Sequence, residues 1–293
     1  MKINKHCFPN GLRLVHHEDT STQMVALNIV YDVGARDEHP EHTGFAHLFE
    51  HLMFGGSAHI PDYDTPLQLA GGENNAWTNN DITNYYLTVP KTNVETAFWL
   101  ESDRMLELTF SEQGLEVQRG VVMEEFKQRC LNQPYGDIGH LFRPLAFQVH
   151  PYRWPTIGKE LSHIEQATLD EVKSFFYRFY APNNAVLAVT GNISWEETVR
   201  LTEKWFGPVP RAGAAVAPRA GADGRTQADG RKECAAGCSA DGLSHVRSRE
   251  CRLLYIRYTV GYSQQRALQS SEPSSGAGTE HLLRYRCIYQ RYA

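Results

Sequence analysis

The sequence lacks any apolar run long enough to cross a membrane, and its first nine residues lack the apolar core of a secretory signal. We therefore expect no signal peptide, no membrane partner and a cytoplasmic location. Cysteine is scarce as well, since Cys7 and Cys130 are the two in the first 210 residues. In a reducing compartment these two cysteines are expected to be free thiols rather than a structural disulfide.

The last part of the chain lacks whole residue types. No Phe, Trp or Met follows Phe206, and after residue 210 Arg outnumbers Lys by 12 to 1. Residues 1–210 carry 16 Lys+Arg against 27 Asp+Glu, whereas residues 211–293 carry 13 against 7. The change predicts a folded domain at 1–212 and a low-complexity, disordered tail at 213–293. The tail arginines form no helical stripe, so we expect no nucleic-acid partner.

The most informative motif is H-x-x-E-H, formed by His47, Glu50 and His51. On a helix this spacing puts the two histidines on one face, one turn apart, where two neutral imidazoles can bind one zinc ion. A neighbouring carboxylate can accept a proton from water at the metal, which suggests Glu50 as a general base. Thr43 before the motif and Gly55–Gly56 after it indicate the start and the end of the helix. This order of residues is the inverzincin signature.

Catalytic zinc sites commonly use a third protein ligand from another element. A helix predicted over Glu112–Cys130 offers two neighbouring carboxylates, Glu124 and Glu125. Neighbours on a helix point about 100° apart, so only one of the two can face the histidines. From the residues alone this choice stays open.

Hydrophobic periodicity predicts strands at Leu12–Glu18, Met24–Val33, Ile82–Val89 and Ala185–Thr190. Besides the two helices already named, it predicts helices at Asn93–Leu108, Leu169–Phe179 and Trp195–Phe206. Strands in hairpin order with helices in blocks favour an α+β fold, namely a mostly antiparallel sheet covered by helices on one side.

Several further segments, together with the H-x-x-E-H helix, resemble the pitrilysin/insulinase family of zinc metallopeptidases. They occur in family order over about residues 8–210: Asn10–Val15, Val33–Glu38, Gly71–Thr78, Val121–Glu125, Asn132–Gly136, His150–Tyr152 and Tyr180–Ala185. The resemblance implies a zinc endopeptidase domain that binds one Zn²⁺ and acts on peptides or unfolded polypeptides. In this family a second, similar domain or subunit closes over the substrate.

The resemblance also assigns roles to individual residues. It makes His47, His51 and Glu125 the zinc ligands and Glu50 the catalytic base. Asn75 and Ala76 match the strand edge that binds the substrate backbone. Gln118 stands where the family usually has a second carboxylate behind the zinc glutamate, so this part of the family pattern is altered.

Two other functions compete with the peptidase. The family includes partner subunits without catalytic activity, and a chain without its second domain could serve in that way. S-ribosylhomocysteine lyase shares H-x-x-E-H on a related fold but uses a cysteine as its third ligand, for which Cys130 is the candidate. Chain length and the Asn75–Ala76 segment favour the peptidase.

The tail carries one more signal. If the codons for Val260–Tyr292 are shifted by one nucleotide, allowed codon choices give a peptide containing LSNGRSSRL, which resembles a signature of the family's second domain. We therefore hypothesise a frameshift between about Pro210 and Cys234. The DNA sequence across this interval tests the hypothesis.

Overall fold

A computed structural model describes residues 2–212 of the chain. The predicted tail at 213–293 and the hypothesised frameshift lie outside the described residues. Residues 2–212 contain six strands: β1 Asn4–Cys7, β2 Arg13–Glu18, β3 Met24–Tyr31, β4 Glu73–Thr78, β5 Thr83–Pro90 and β6 Ala185–Gly191. Eight α-helices accompany them: α1 Phe45–Leu52, α2 Asp64–Leu69, α3 Val94–Leu106, α4 Glu112–Phe126, α5 Ile138–Ala146, α6 Leu161–Glu165, α7 Leu169–Phe179 and α8 Trp195–Phe206.

The strands form one sheet in the order β1-β2-β6-β3-β5-β4. Four of the five strand pairings are antiparallel, and only β2 with β6 is parallel. The parallel pair arises because β6 enters the middle of the sheet after the long helical part of the chain. The mostly antiparallel α+β fold predicted from the sequence is therefore confirmed.

Residues of β3 alternate between buried and half-buried positions along the whole strand, and β6 shows nearly the same alternation. This period of two puts Val25, Leu27, Ile29 and Tyr31 on one face of the sheet, where the core lies. The helices cover that face, and among their contributions to the core are Phe49, Phe98, Phe176 and Phe206. A sheet covered on one side follows directly from this alternation.

Some element boundaries differ from those predicted. The long helix α4 ends at Phe126, and a π-helical turn, Lys127–Leu131, replaces the expected α-helix up to Cys130. The turn-rich segment after Gly72 forms the edge strand β4. Within the described residues, no helix combines the length and apolarity needed to span a bilayer.

Candidate metal centre

The helix α1 presents its apolar and its histidine residues on different flanks. Phe45, Leu48 and Phe49 follow the i, i+3, i+4 spacing and are buried in the core. His47 and His51 lie one turn apart on the flank that faces α4. The amphipathic pattern thus fixes the rotation of the helix, and with it the direction of both imidazoles.

The start of α1 is capped differently from the prediction. Gly44, at a φ of 91°, is the N-cap residue, and Thr43 makes no cap bond. The Thr43 hydroxyl instead pairs with His163 Nδ1 at 2.9 Å and accepts the Lys159 N–H at 2.8 Å. The expected Thr43 cap is therefore wrong, because this side chain ties the helix start to a distant loop.

Glu38 supplies the missing cap from outside the helix. Its two carboxyl oxygens accept the Gly44 N–H at 2.9 Å and the Ala46 N–H at 2.8 Å. Burial raises the pKa of Glu38 to about 8, while these two hydrogen bonds act in the opposite direction. Helix α1 is therefore anchored at its N-terminus by a buried carboxyl group.

The two histidines form a tight pair. Their ring centroids are 4.9 Å apart with the ring planes at 90°. The His47 side chain is 8% exposed and that of His51 is 20% exposed. Burial, and after it the nearby His51 and Arg129, lowers the pKa of His47 to about 3. His47 is therefore uncharged at neutral pH, which is the form that can bind a metal.

The third residue at this site is Glu125 of α4. Its Oε2 lies 3.5 Å from His47 Nε2, and its Oε1 lies 3.6 Å from His51 Nε2. Its neighbour Glu124 points to solvent and pairs with Lys127 at 2.6 Å. Of the two adjacent carboxylates, the structure thus brings Glu125 to the histidines.

These three residues fit a zinc ion. Zinc binds histidine nitrogen and carboxylate oxygen at about 2.0–2.2 Å, so tetrahedral ligand atoms lie about 3.3–3.6 Å apart. The two measured nitrogen–oxygen separations match this range, and the ligand atoms of all three residues lie within 4.8 Å of one another. Glu125 Oε2 is buried and accepts no hydrogen bond within the described residues, and the Arg129 guanidinium forms an ion pair with it at 3.2 Å. A buried carboxylate oxygen in this situation is suited to a cation.

Glu50 lies on the same helix, one residue before His51. Its side chain is half-buried and has no hydrogen bond to another described residue. Tyr85 and Tyr180 are buried close enough to be affected by the charge of Glu50. Burial is the main cause of the raised pKa of both tyrosines, and the Glu50 charge raises it further. A carboxylate without a competing donor is free to accept a proton from another group.

Asn75 and Ala76 lie in β4, the outermost strand of the sheet, which contacts α1. They are paired with Tyr86 and Tyr85 of β5. The Asn75 side chain is exposed, and its Oδ1 accepts the Ala76 N–H at 2.8 Å. The two residues predicted to bind substrate thus lie at an open strand edge beside helix α1.

Gln118 lies on α4 two turns before Glu125 and lines a cleft with Leu52 and Gly55. Within the described part of the chain it forms no hydrogen bond to His47, His51 or Glu125. Sequence reasoning missed Arg129 instead, whose Nη2 lies 3.2 Å from Glu125 Oε2. Its spacing of four residues after Glu125 is the signal that could have revealed it.

Other candidates are accounted for by structural contacts. Arg36 pairs with Asp81 at 2.7 Å and Arg104 with Glu101 at 2.6 Å, so both arginines form structural ion pairs. Cys130 is buried against Phe126 and Ile157. Within residues 2–212, the cluster that could hold a metal contains Glu125 and not Cys130. This geometry disfavours the lyase-type ligand set.

Comparison with known proteins identifies the family. Residues 13–135 match the family model described as insulinase (peptidase family M16), and residues 166–233 match the peptidase M16 inactive domain. The chain belongs to the insulinase family. Among M16 relatives, it is 32% identical to the zinc protease PqqE of Helicobacter pylori over 200 residues, which are 67% of this chain and 45% of that protein. An uncharacterized zinc protease of Bacillus subtilis is 29% identical over 73% of this chain and 52% of its own length.

Solved structures agree with the M16 assignment. A protease from Helicobacter pylori superposes with a TM-score of 0.70 at 30% identity, covering 74% of this chain and 52% of that one. Pitrilysin, at 21% identity and a TM-score of 0.64, shows the same fold over 72% of this chain. The chain spans about half the length of the curated relatives it matches.

Proposed function

We propose that this chain is the zinc-binding half of an endopeptidase that hydrolyses peptides or unfolded protein segments. The observation that carries the proposal is the convergence of His47, His51 and Glu125 on one point, with Glu50 on the same helix. The names of the relatives as zinc proteases support the metal and the reaction type.

Each residue of the site has a separate role in the proposed hydrolysis. His47, His51 and Glu125 would hold zinc, which when bound acidifies a water molecule and polarises a carbonyl group. Glu50 accepts the proton of the attacking water and then delivers it to the nitrogen of the departing amine. The anchored helix keeps Glu50 and the two histidines at a fixed spacing, so the base stays in place during the reaction.

The edge strand β4 offers a way to hold a substrate. An extended peptide can add to an open strand edge through backbone hydrogen bonds, which recognise shape rather than side-chain identity. Asn75 and Ala76 lie at this edge beside α1. We propose that the substrate displaces the Asn75 carboxamide from the Ala76 N–H, and that it lies along β4 with its scissile bond near the metal.

The proposal predicts different outcomes for three carboxylates. Glu125→Gln should lose zinc, because a neutral amide is a much weaker ligand than a carboxylate. Glu50→Gln should keep zinc and lose peptide hydrolysis by ~10²–10⁴-fold or more, because an amide cannot accept the water's proton. Glu124→Gln is the matched control and should keep both, because its side chain points to solvent.

The test measures zinc content and cleavage of a quenched fluorescent peptide, with the second family domain supplied to all variants. Loss of zinc from Glu124→Gln but not from Glu125→Gln would refute the ligand assignment. Loss of zinc from Glu50→Gln would make Glu50 a ligand and refute its role as base. Zinc binding without hydrolysis by the wild type would favour a non-catalytic partner subunit.

A further inference from the structure

The Glu125 carboxylate has one neighbour that neither the motif nor the family pattern explains. Arg129 Nη2 approaches Glu125 Oε2 at 3.2 Å, from one turn further along the chain. That same oxygen lies 3.5 Å from His47 Nε2. The Arg129 guanidinium and the His47 imidazole therefore approach the same carboxylate oxygen.

The backbone of Arg129 is held in place by its own surroundings. It belongs to the π-helical turn Lys127–Leu131, which the Asn132 N–H closes on the Lys127 carbonyl at 2.8 Å. The Gln133 side chain donates to the Arg129 carbonyl, and Gly136 packs so closely on that carbonyl that a Cβ there would clash. π-Turns occur often at functional sites, and this one fixes where the Arg129 side chain starts.

The family usually has a second carboxylate behind the zinc glutamate, and this chain lacks it at that position. Gln118 replaces the usual second carboxylate and forms no hydrogen bond to the three site residues within the described chain. We infer that Arg129 is a positioning residue that holds Glu125 toward the two histidines and thereby strengthens zinc binding. This inference rests on the proposed function of the site.

Arg129 has two opposing effects on the zinc affinity of the site. A guanidinium repels a zinc ion, but the Arg129 side chain is 63% exposed, so water and salt screen that repulsion. Holding Glu125 in one rotamer removes part of the cost of ordering this long side chain when the metal binds. Outer partners of metal ligands commonly contribute about 10–100-fold in metal affinity. We therefore expect positioning to outweigh repulsion.

The test measures zinc affinity of the full chain by competition with a chromophoric chelator. Arg129→Ala should weaken binding by about 10–100-fold. Arg129→Lys should recover part of the loss, because lysine keeps the charge but not the planar fork. Lys127→Ala is the matched control, since it removes a cation from the same turn that pairs with Glu124, and should leave affinity unchanged.

Two further measurements separate positioning from a general effect on the fold. In a Glu125→Asp background, which keeps a carboxylate ligand on a shorter side chain, Arg129→Ala should cause a smaller loss than in wild type, because the residue acts through Glu125. The visible spectrum of the cobalt-substituted Arg129→Ala variant should change, because the geometry of the carboxylate ligand changes. Far-ultraviolet circular dichroism checks that each variant is folded.

The outcomes are distinct. Equal or tighter zinc binding by Arg129→Ala, with wild-type binding intact, would overturn the role of Arg129 and leave the proposed function standing. An equal loss in Lys127→Ala would show a general effect of positive charge on this turn, not positioning of Glu125, and would also overturn the role of Arg129. Failure of the wild-type chain to bind zinc would overturn both.

Discussion

The burial of His47 has a clear consequence for the pH dependence of the stability of the fold. In the unfolded chain a histidine takes up a proton near pH 6.5, whereas His47 in the fold stays neutral down to a pKa of about 3. Between these two pH values the unfolded state binds a proton at this histidine and the folded state does not. The stability contributed by this residue is complete above about pH 6.5 and is lost as the pH falls toward 3.

We predict that His47→Gln changes the pH dependence of stability of the metal-free chain. Between pH 6.5 and 5, wild type should lose about 2 kcal/mol more than the variant, because each pKa unit corresponds to about 1.4 kcal/mol. Urea unfolding at both pH values measures the difference. His6→Gln, at an exposed position on β1, should behave like wild type. Equal slopes for wild type and His47→Gln would contradict the account.

At the scale of single residues, the sequence predicts the histidine pair but not all the side chains around it. The spacing of His47 and His51 follows from helix periodicity alone. Choosing Glu125 over Glu124 required the family pattern, because two adjacent carboxylates differ only in direction. Arg129 escaped notice because a basic residue four positions after a glutamate is common on exposed helices.

Among the elements, α1 depends on a cap that lies outside it. Glu38 accepts the N–H of the N-cap residue Gly44 and that of Ala46 in the first turn of the helix. Glu38→Ala should destabilise the fold by about 1–2 kcal/mol, comparable with the loss of a helix cap. It should also weaken zinc binding, because the histidine helix loses its anchor.

The control for this prediction is Glu41→Ala, which removes an exposed carboxylate three residues away. Chemical denaturation and the chelator competition described for Arg129 give both readouts. If Glu38→Ala and Glu41→Ala proved equally mild, the helix would not depend on the Glu38 anchor.

Elements with a strong periodic signal were predicted well. The helices Leu169–Phe179 and Trp195–Phe206 are confirmed to the residue, and the strands Met24–Tyr31 and Ala185–Gly191 differ by one or two residues. The cap of α1 could not be predicted, because Glu38 reaches Gly44 and Ala46 only through the folding of the intervening loop. The π turn after Phe126 likewise gives no periodic signal over only five residues.

At the scale of the whole molecule, residues 2–212 contain a large hydrophobic core, and the candidate metal site is partly open to solvent. The proposed zinc ligands His51 and Glu125 have side chains that are 20% and 28% exposed. We propose that this chain alone hydrolyses peptides poorly, because nothing among residues 2–212 closes over a substrate. Supplying an in-frame second family domain should raise kcat/KM by on the order of 10²-fold or more through positioning and exclusion of water.

The assay compares the 293-residue chain with a version to which a second family domain is added. The two-domain version with Glu50→Gln is the control and should stay inactive. Efficient hydrolysis by the 293-residue chain alone would contradict the need for a second domain. The hypothesised frameshift stays a prediction, for which the DNA sequence between codons 205 and 240 is decisive.

The central claim is that His47, His51 and Glu125 together bind one zinc ion. Anomalous diffraction at the zinc absorption edge, from crystals of the full chain grown with zinc, tests it most directly. The account predicts a single strong peak about 2.0–2.2 Å from a nitrogen of each histidine and an oxygen of Glu125. A peak ligated through Glu124 or Cys130, or no peak between α1 and α4, would contradict it.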